Sequence, residues 1–123
     1  DGNEKRVIAG TNDGYLISID AETGVPDPLF SEGKVDLADG LPRATRDDLG
    51  WTGAQPVAVV SPPIVVGDTV ITSSITQARP INRERPPMWV RGYNVRTGQH
   101  VWDFHTIPLA GEYGVETLAL IHI

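Results

Sequence analysis

Hydrophobic and polar positions alternate along short stretches of this chain, between breaks of glycine, proline and aspartate. Such alternation marks a strand with one face covered. Arg6-Val7-Ile8-Ala9-Gly10-Thr11 and Tyr15 to Asp20 predict two strands, and the Asp13-Gly14 pair between them predicts a hairpin turn. Residues 25–56 predict irregular chain, because Pro26 and Pro28 have no N–H to give a sheet. Val35-Asp36-Leu37 is a short edge strand there, Asp39-Gly40-Leu41-Pro42 is a turn, and residues 43–53 are polar apart from Leu49 and Trp51. Four strands follow, over residues 57–66, 69–75, 90–94 and 100–105. The β-branched run from Thr69 to Ile75 is the clearest of them.

One phrase occurs twice. Tyr93-Asn94-Val95-Arg96-Thr97-Gly98 is the turn between the last two strands, and Ile19-Asp20-Ala21-Glu22-Thr23-Gly24 repeats it 74 residues earlier. An Asn or Asp side chain can bond the backbone two residues on, and glycine supplies a positive φ without steric cost. Trp102 is placed to lie flat over its hairpin or a neighbouring one, whereas the first copy has Pro28 at that position. The 74-residue spacing fits one propeller blade plus an inserted loop.

The expected fold class is therefore all-β, about one and a half four-stranded blades of a β-propeller. Residues 1–24 end one blade, 25–56 are the inserted loop and 57–105 are a full blade; 106–117 connect to the next blade, and 118–123 form an atypical apolar tail. Propellers close with ~4–8 blades. The chain is thus expected to be a fragment of a larger protein, in line with the absence of a methionine at Asp1. A small sandwich of six or seven strands is the competing architecture.

Composition narrows the functional classes. The chain is 40% hydrophobic and 21% charged, as a globular protein is, and its 13 glycines and 10 prolines favour many turns. A net charge of −6 offers no basic stripe for nucleic acid. The absence of cysteine excludes disulfides, thiolate metal sites and thiol nucleophiles. No apolar run approaches the ~20 residues that span a bilayer.

The repeated phrase resembles the tryptophan motif of quinoprotein propellers, Ala-x-Asp-x-x-Thr-Gly-x-x-x-Trp, with Asn94 in place of the aspartate. Phe30 to Leu37, Ser61-Pro62-Pro63-Ile64-Val65-Val66-Gly67-Asp68, Ser73-Ser74-Ile75 and Phe104-His105-Thr106-Ile107-Pro108 resemble membrane-associated quinoprotein dehydrogenases of the glucose/quinate/shikimate type. So do Gly111 to Gly114 and Glu116-Thr117; the likeness ends at Leu118, where the family has tryptophan. The resemblance implies an eight-bladed propeller with pyrroloquinoline quinone (PQQ) on its axis and Ca²⁺ beside it. It implies periplasmic oxidation of a sugar or alcohol, with electrons passed to ubiquinone or a cytochrome. An inner-membrane anchor would belong to other parts of the protein.

Within that resemblance, Ser61 and Ser74 match hydroxyls that reach the cofactor's carboxylates in related enzymes. The competing reading makes Ser61 a turn residue before Pro62 and Ser74 a strand end. Gln77 stands where methanol-oxidising relatives carry a calcium-binding glutamate, so no metal ligand is assigned to this blade. His105 and Glu112 could form a base and its partner, but read first as a strand end and a solvated loop. Arg79, Arg83 and Arg85 could meet an anion or simply form loop surface, and Trp51 could line the cofactor face. Asp13, Asp20, Asp47, Asp48 and Asp68 fall mostly at turns. No catalytic residue is named, because the family's catalytic aspartate lies further along the chain. The segment alone is expected to be inactive, an axial site needing blades on all sides. The functional alternatives are a non-enzymatic propeller scaffold that binds proteins, and an inactive truncated gene product.

Overall fold

The computed structural model of the chain describes residues 4–42, 57–76 and 86–118. Strand β1 (Arg6–Gly10) and strand β2 (Tyr15–Asp20) form the expected hairpin, with Val7 opposite Ile19 and Ala9 opposite Ile17. Gly14 takes the positive φ of 81° that its turn requires. On β2 the alternation is literal, since Leu16 and Ser18 are fully buried and their neighbours are partly exposed.

Strand β3 (Lys34–Asp36) is the short edge strand, pairing with Tyr15 to Ile17. The rest of that edge is closed by a segment expected to be irregular. Asp20 N donates to Val25 O at 2.9 Å, Asp27 N donates to Ser18 O at 2.9 Å, and Pro26 bridges to Ile19 between them. The flanking residues make the bonds, so the proline's missing donor costs nothing there.

Strand β4 (Val57–Ala58) is followed by β5 (Ile64–Val66), β6 (Thr69–Ser73), β7 (Ile75–Thr76), β8 (Val90–Asn94) and β9 (His100–Phe104). Strands β5, β6, β8 and β9 lie side by side in that order, all antiparallel, and β4 pairs with β7. Two expected strands are therefore interrupted. The 57–66 run breaks over 59–63, where Pro62 and Pro63 cannot donate, and the 69–75 run breaks at Ser74. A single helical turn, α1 (Val115–Leu118), ends the described chain and was not expected. No described helix is long and apolar enough to cross a membrane.

The core lies between the two sheets. Leu16, Phe30, Val35 and Leu37 come from the first, Val70, Trp89 and Tyr93 from the second, and Val57 and Val59 stand between. Gly10 makes that close approach possible, because a Cβ there would sit 2.2 Å from Val59 Cγ1. Val59 N also donates to Thr11 O at 3.0 Å. On the far face of the second sheet, Ile64 and Phe104 remain 60% and 62% exposed. Apolar residues on both faces suit one member of a stack of sheets.

Candidate functional site

Ser61 and Ser74 lie on the two chain stretches between the β4–β7 pairing and the β5–β6 pairing. Strands β4 and β7 place Ala58 opposite Ile75, while β5 and β6 place Ile64 opposite Ile71. Counted from the first pair, Ser74 falls opposite position 59; counted from the second, it falls opposite Ser61. The 59–63 stretch therefore carries two extra residues. Irregularities of this kind re-aim side chains and are frequent beside active sites. Ser74 is 5% exposed, and Ser61 is exposed. Thr72, two residues before Ser74 on the same pleat face, is 5% exposed, and its hydroxyl has no hydrogen-bond partner among the described residues.

This donor set fits one part of the implied cofactor. The covered hydroxyls of Ser74 and Thr72 and the exposed one of Ser61 are neutral donors suited to carboxylates, of which PQQ carries several. It does not fit a calcium ion, which needs ~6–8 oxygens. Among the described residues no three His, Cys, Asp or Glu side chains group closely enough to hold a metal. Gln77, Arg79, Arg83, Arg85, Trp51, Asp47 and Asp48 lie outside the described residues.

His105 and Glu112 do come together. Glu112 Oε1 lies 2.6 Å from His105 Nδ1, and Glu112 Oε2 accepts the Leu109 N–H at 2.8 Å. The Leu109 N–H holds the Glu112 carboxyl below its ordinary range against the opposing effect of desolvation, and His105 adds to the lowering. The His105 ring lies against Trp89, 4.0 Å between centroids. The expected solvated loop is thus a fastened one.

A third cluster had not been singled out from the sequence. Arg91 is 5% exposed and ties the two sheets together. Its Nε donates to Asp103 Oδ1 at 2.7 Å, and its NH1 donates to Asp39 O at 2.8 Å. His100 Nε2 meets the same Asp103 oxygen at 2.7 Å. Burial works to raise the Asp103 carboxyl, but the hydrogen bonds from Arg91 and His100 prevail and hold it low. Tyr93 sits beside this group at 2% exposure, and desolvation pushes its hydroxyl up to about 12. Asp39, Arg91, Tyr93 and His100 line a cleft of about 340 Å³ that reaches neither Ser61 nor Ser74. The signal for the cluster was a charged Arg91 inside an apolar strand, opposite Asp103 in the hairpin.

The two Thr-Gly turns are structural and alike. Asp20 Oδ1 accepts the Glu22 and Thr23 N–H groups at 3.0 and 2.8 Å; Asn94 Oδ1 accepts those of Arg96 and Thr97 at 2.9 and 3.0 Å. The Thr23 N–H is the main reason the Asp20 carboxyl is held low. Gly24 and Gly98 have φ of 72° and 70°. Asp13 likewise serves its turn, accepting the Thr11 hydroxyl. Trp102 lies flat across Gly92, where a Cβ would stand 2.4 Å from the indole.

A four-stranded antiparallel sheet closed by such a hairpin, and packed face to face on part of a like sheet, is the repeat unit of a β-propeller. The family model described as "PQQ: Glucose/ethanol/alcohol dehydrogenase, beta-propeller domain" matches residues 1–118, and the chain belongs to that family. It is 34% identical over 103 residues to quinoprotein glucose dehydrogenase A of Acinetobacter calcoaceticus, covering 83% of this chain and 12% of that protein. It is 33% identical over 98 residues to the glycerol dehydrogenase large subunit of Gluconobacter thailandicus, covering 79% and 12%. It is 33% identical over 101 residues to the quinate/shikimate dehydrogenase (quinone) of Acinetobacter baylyi, covering 81% and 12%. The chain thus spans 12% of the length of these relatives. A europium-containing methanol dehydrogenase shares the fold, with a TM-score of 0.57 at 23% identity over 84% of this chain and 14% of that one.

Proposed function

We propose that the chain is a segment of a PQQ-dependent dehydrogenase that oxidises a sugar or an alcohol. The observation that carries this reading is the buried Ser74, opposite the 59–61 stretch where the strand pair breaks. The family membership and the substrates for which its relatives are named support it.

When bound, PQQ supplies an ortho-quinone that takes up the two electrons of the oxidation. Ser61 and Ser74 would hold it by donating hydrogen bonds to its carboxylates. The cover over Ser74 would exclude competing water there. Thr72 offers a further hydroxyl one row away. The proton-accepting base and the ligands of Ca²⁺ are assigned to other parts of the protein. Reduction of ubiquinone or a cytochrome, a periplasmic location and any membrane anchor belong to the same proposal for the whole protein.

The test is reconstitution of the full-length protein carrying this segment. The apo form is loaded with PQQ and Ca²⁺ and assayed for dye reduction with a panel of sugars and alcohols. Dye reduction that requires PQQ is expected. Folded full-length protein that binds no PQQ and reduces no dye would instead make the propeller a binding scaffold.

A further inference from the structure

The ladder of the second sheet ends with Ser73 opposite Val90, and Val90 opposite Phe104. Just past it, on the three chain ends, come Ser74, Trp89 and His105. Alternation from the buried Thr72 and Arg91 puts Ser74 and Trp89 on the covered side. The burial agrees, with Ser74 and Trp89 only 5% and 6% exposed. The Trp89 and His105 rings are in contact, 4.0 Å between centroids.

Past His105 the chain turns back and is fastened. The Thr106 hydroxyl donates to Met88 O at 2.8 Å, beside Trp89. Glu112 holds His105 Nδ1 through one oxygen and the Leu109 N–H through the other. A 2.6 Å contact between an imidazole and a carboxylate held low is a strong, directional bond. It fixes the ring that covers Trp89.

We propose that His105 and Glu112 are positioning residues for the cofactor end of this blade. They hold Trp89 in its place beside Ser74, and so keep the serine hydroxyl desolvated and aimed. Glu112 fixes the imidazole, the imidazole fixes the indole, and the indole shields the hydroxyl. The proposal rests on the reading of Ser74 given above. Neither His105 nor Glu112 touches the cofactor in it.

The test uses the full-length protein and three variants: Glu112→Gln, His105→Gln and the double variant. Three quantities are read: the PQQ dissociation constant by titration, the thermal midpoint without PQQ, and quenching of Trp89 by acrylamide, taken against the Trp89→Phe counterpart. Each single variant is expected to bind PQQ about tenfold more weakly. The double variant is expected to bind no more weakly than the worse single one, as members of one chain of contacts do. Trp89 becomes more quenchable before any cofactor is added. A clamp that only stabilises the fold would lower the midpoint and leave the dissociation constant unchanged, and that result overturns the proposal. Should His105→Gln fail to fold, Glu112→Gln decides alone, because it keeps the shape of the side chain. Wild-type protein that binds no PQQ overturns the underlying reading as well, whereas wild-type binding with unaltered Glu112→Gln binding overturns this inference only.

Discussion

Single residues carry two kinds of work in this segment, closing turns and joining sheets. Asn94 departs from the aspartate of the repeated phrase, yet it accepts the same two N–H groups that Asp20 accepts. Asn94→Asp should therefore leave the thermal midpoint nearly unchanged, while Asn94→Ala should cost about 1 kcal/mol, measured by denaturant unfolding. This turn chemistry was legible in the sequence because it depends on neighbours two and three positions away. The Arg91 cluster was not, because its carbonyl partners at Leu37 and Asp39 arrive from another sheet. Asp103→Asn leaves a nearly buried guanidinium without its counter-ion and should cost on the order of 3 kcal/mol at neutral pH. The Asp103 carboxyl is held below its ordinary 3.8 in the fold. Its contribution is thus complete above that value and lost as pH falls through the lower folded one. The gap between wild type and Asp103→Asn should accordingly narrow in unfolding curves taken below about pH 4. Tyr93 has the opposite sign. Its folded hydroxyl is raised to about 12 from 10, so its contribution is present below 10 and lost as pH rises towards 12. An alkaline absorbance titration should show Tyr93 ionising late, towards 12.

Elements follow the sequence where alternation is local and depart from it where two sheets meet. The hairpin of β1 and β2, the short β3 and the β8–β9 hairpin stand within a residue or so of their expected bounds. The 57–66 strand does not, and the reason is physical. Val57 and Val59 are drawn against Gly10 and Gly14 of the first sheet, while Ile64 to Val66 pair with β6. One run of β-formers serves two neighbours, and Pro62-Pro63 is where it divides. Sequence marked the prolines but not the second partner. The β8–β9 hairpin is held by Trp102 lying on Gly92. Gly92→Ala must displace the indole, at a cost of about 1–3 kcal/mol in an unfolding titration. The connector after β9 read as plain loop because its ties, Glu112 to His105 and Thr106 to Met88, span seven and 18 residues.

At the scale of the molecule, the core formed by Leu16, Phe30, Val70 and Tyr93 belongs to neither sheet alone. That is how a propeller is built, by stacking sheets that are each apolar on both faces. The blade pattern could be read in advance, because a repeated turn and alternating strands are local signals, whereas Ser61 and Ser74 were named only through the likeness to quinoprotein dehydrogenases. The register break between their stretches could not be read, since it needs the pairing of β4 with β7 as well as of β5 with β6. The proposed function puts Ser74, beside this break, against the cofactor of a PQQ-dependent dehydrogenase. The most direct measurement is a PQQ titration of the full-length protein beside its Ser74→Ala and Asn94→Asp variants. Wild type is expected to bind PQQ saturably, and Asn94→Asp to bind it unchanged. Ser74→Ala should bind about tenfold more weakly or worse, the worth of a hydrogen bond to a charged group. Wild type and Ser74→Ala binding PQQ equally well would contradict it.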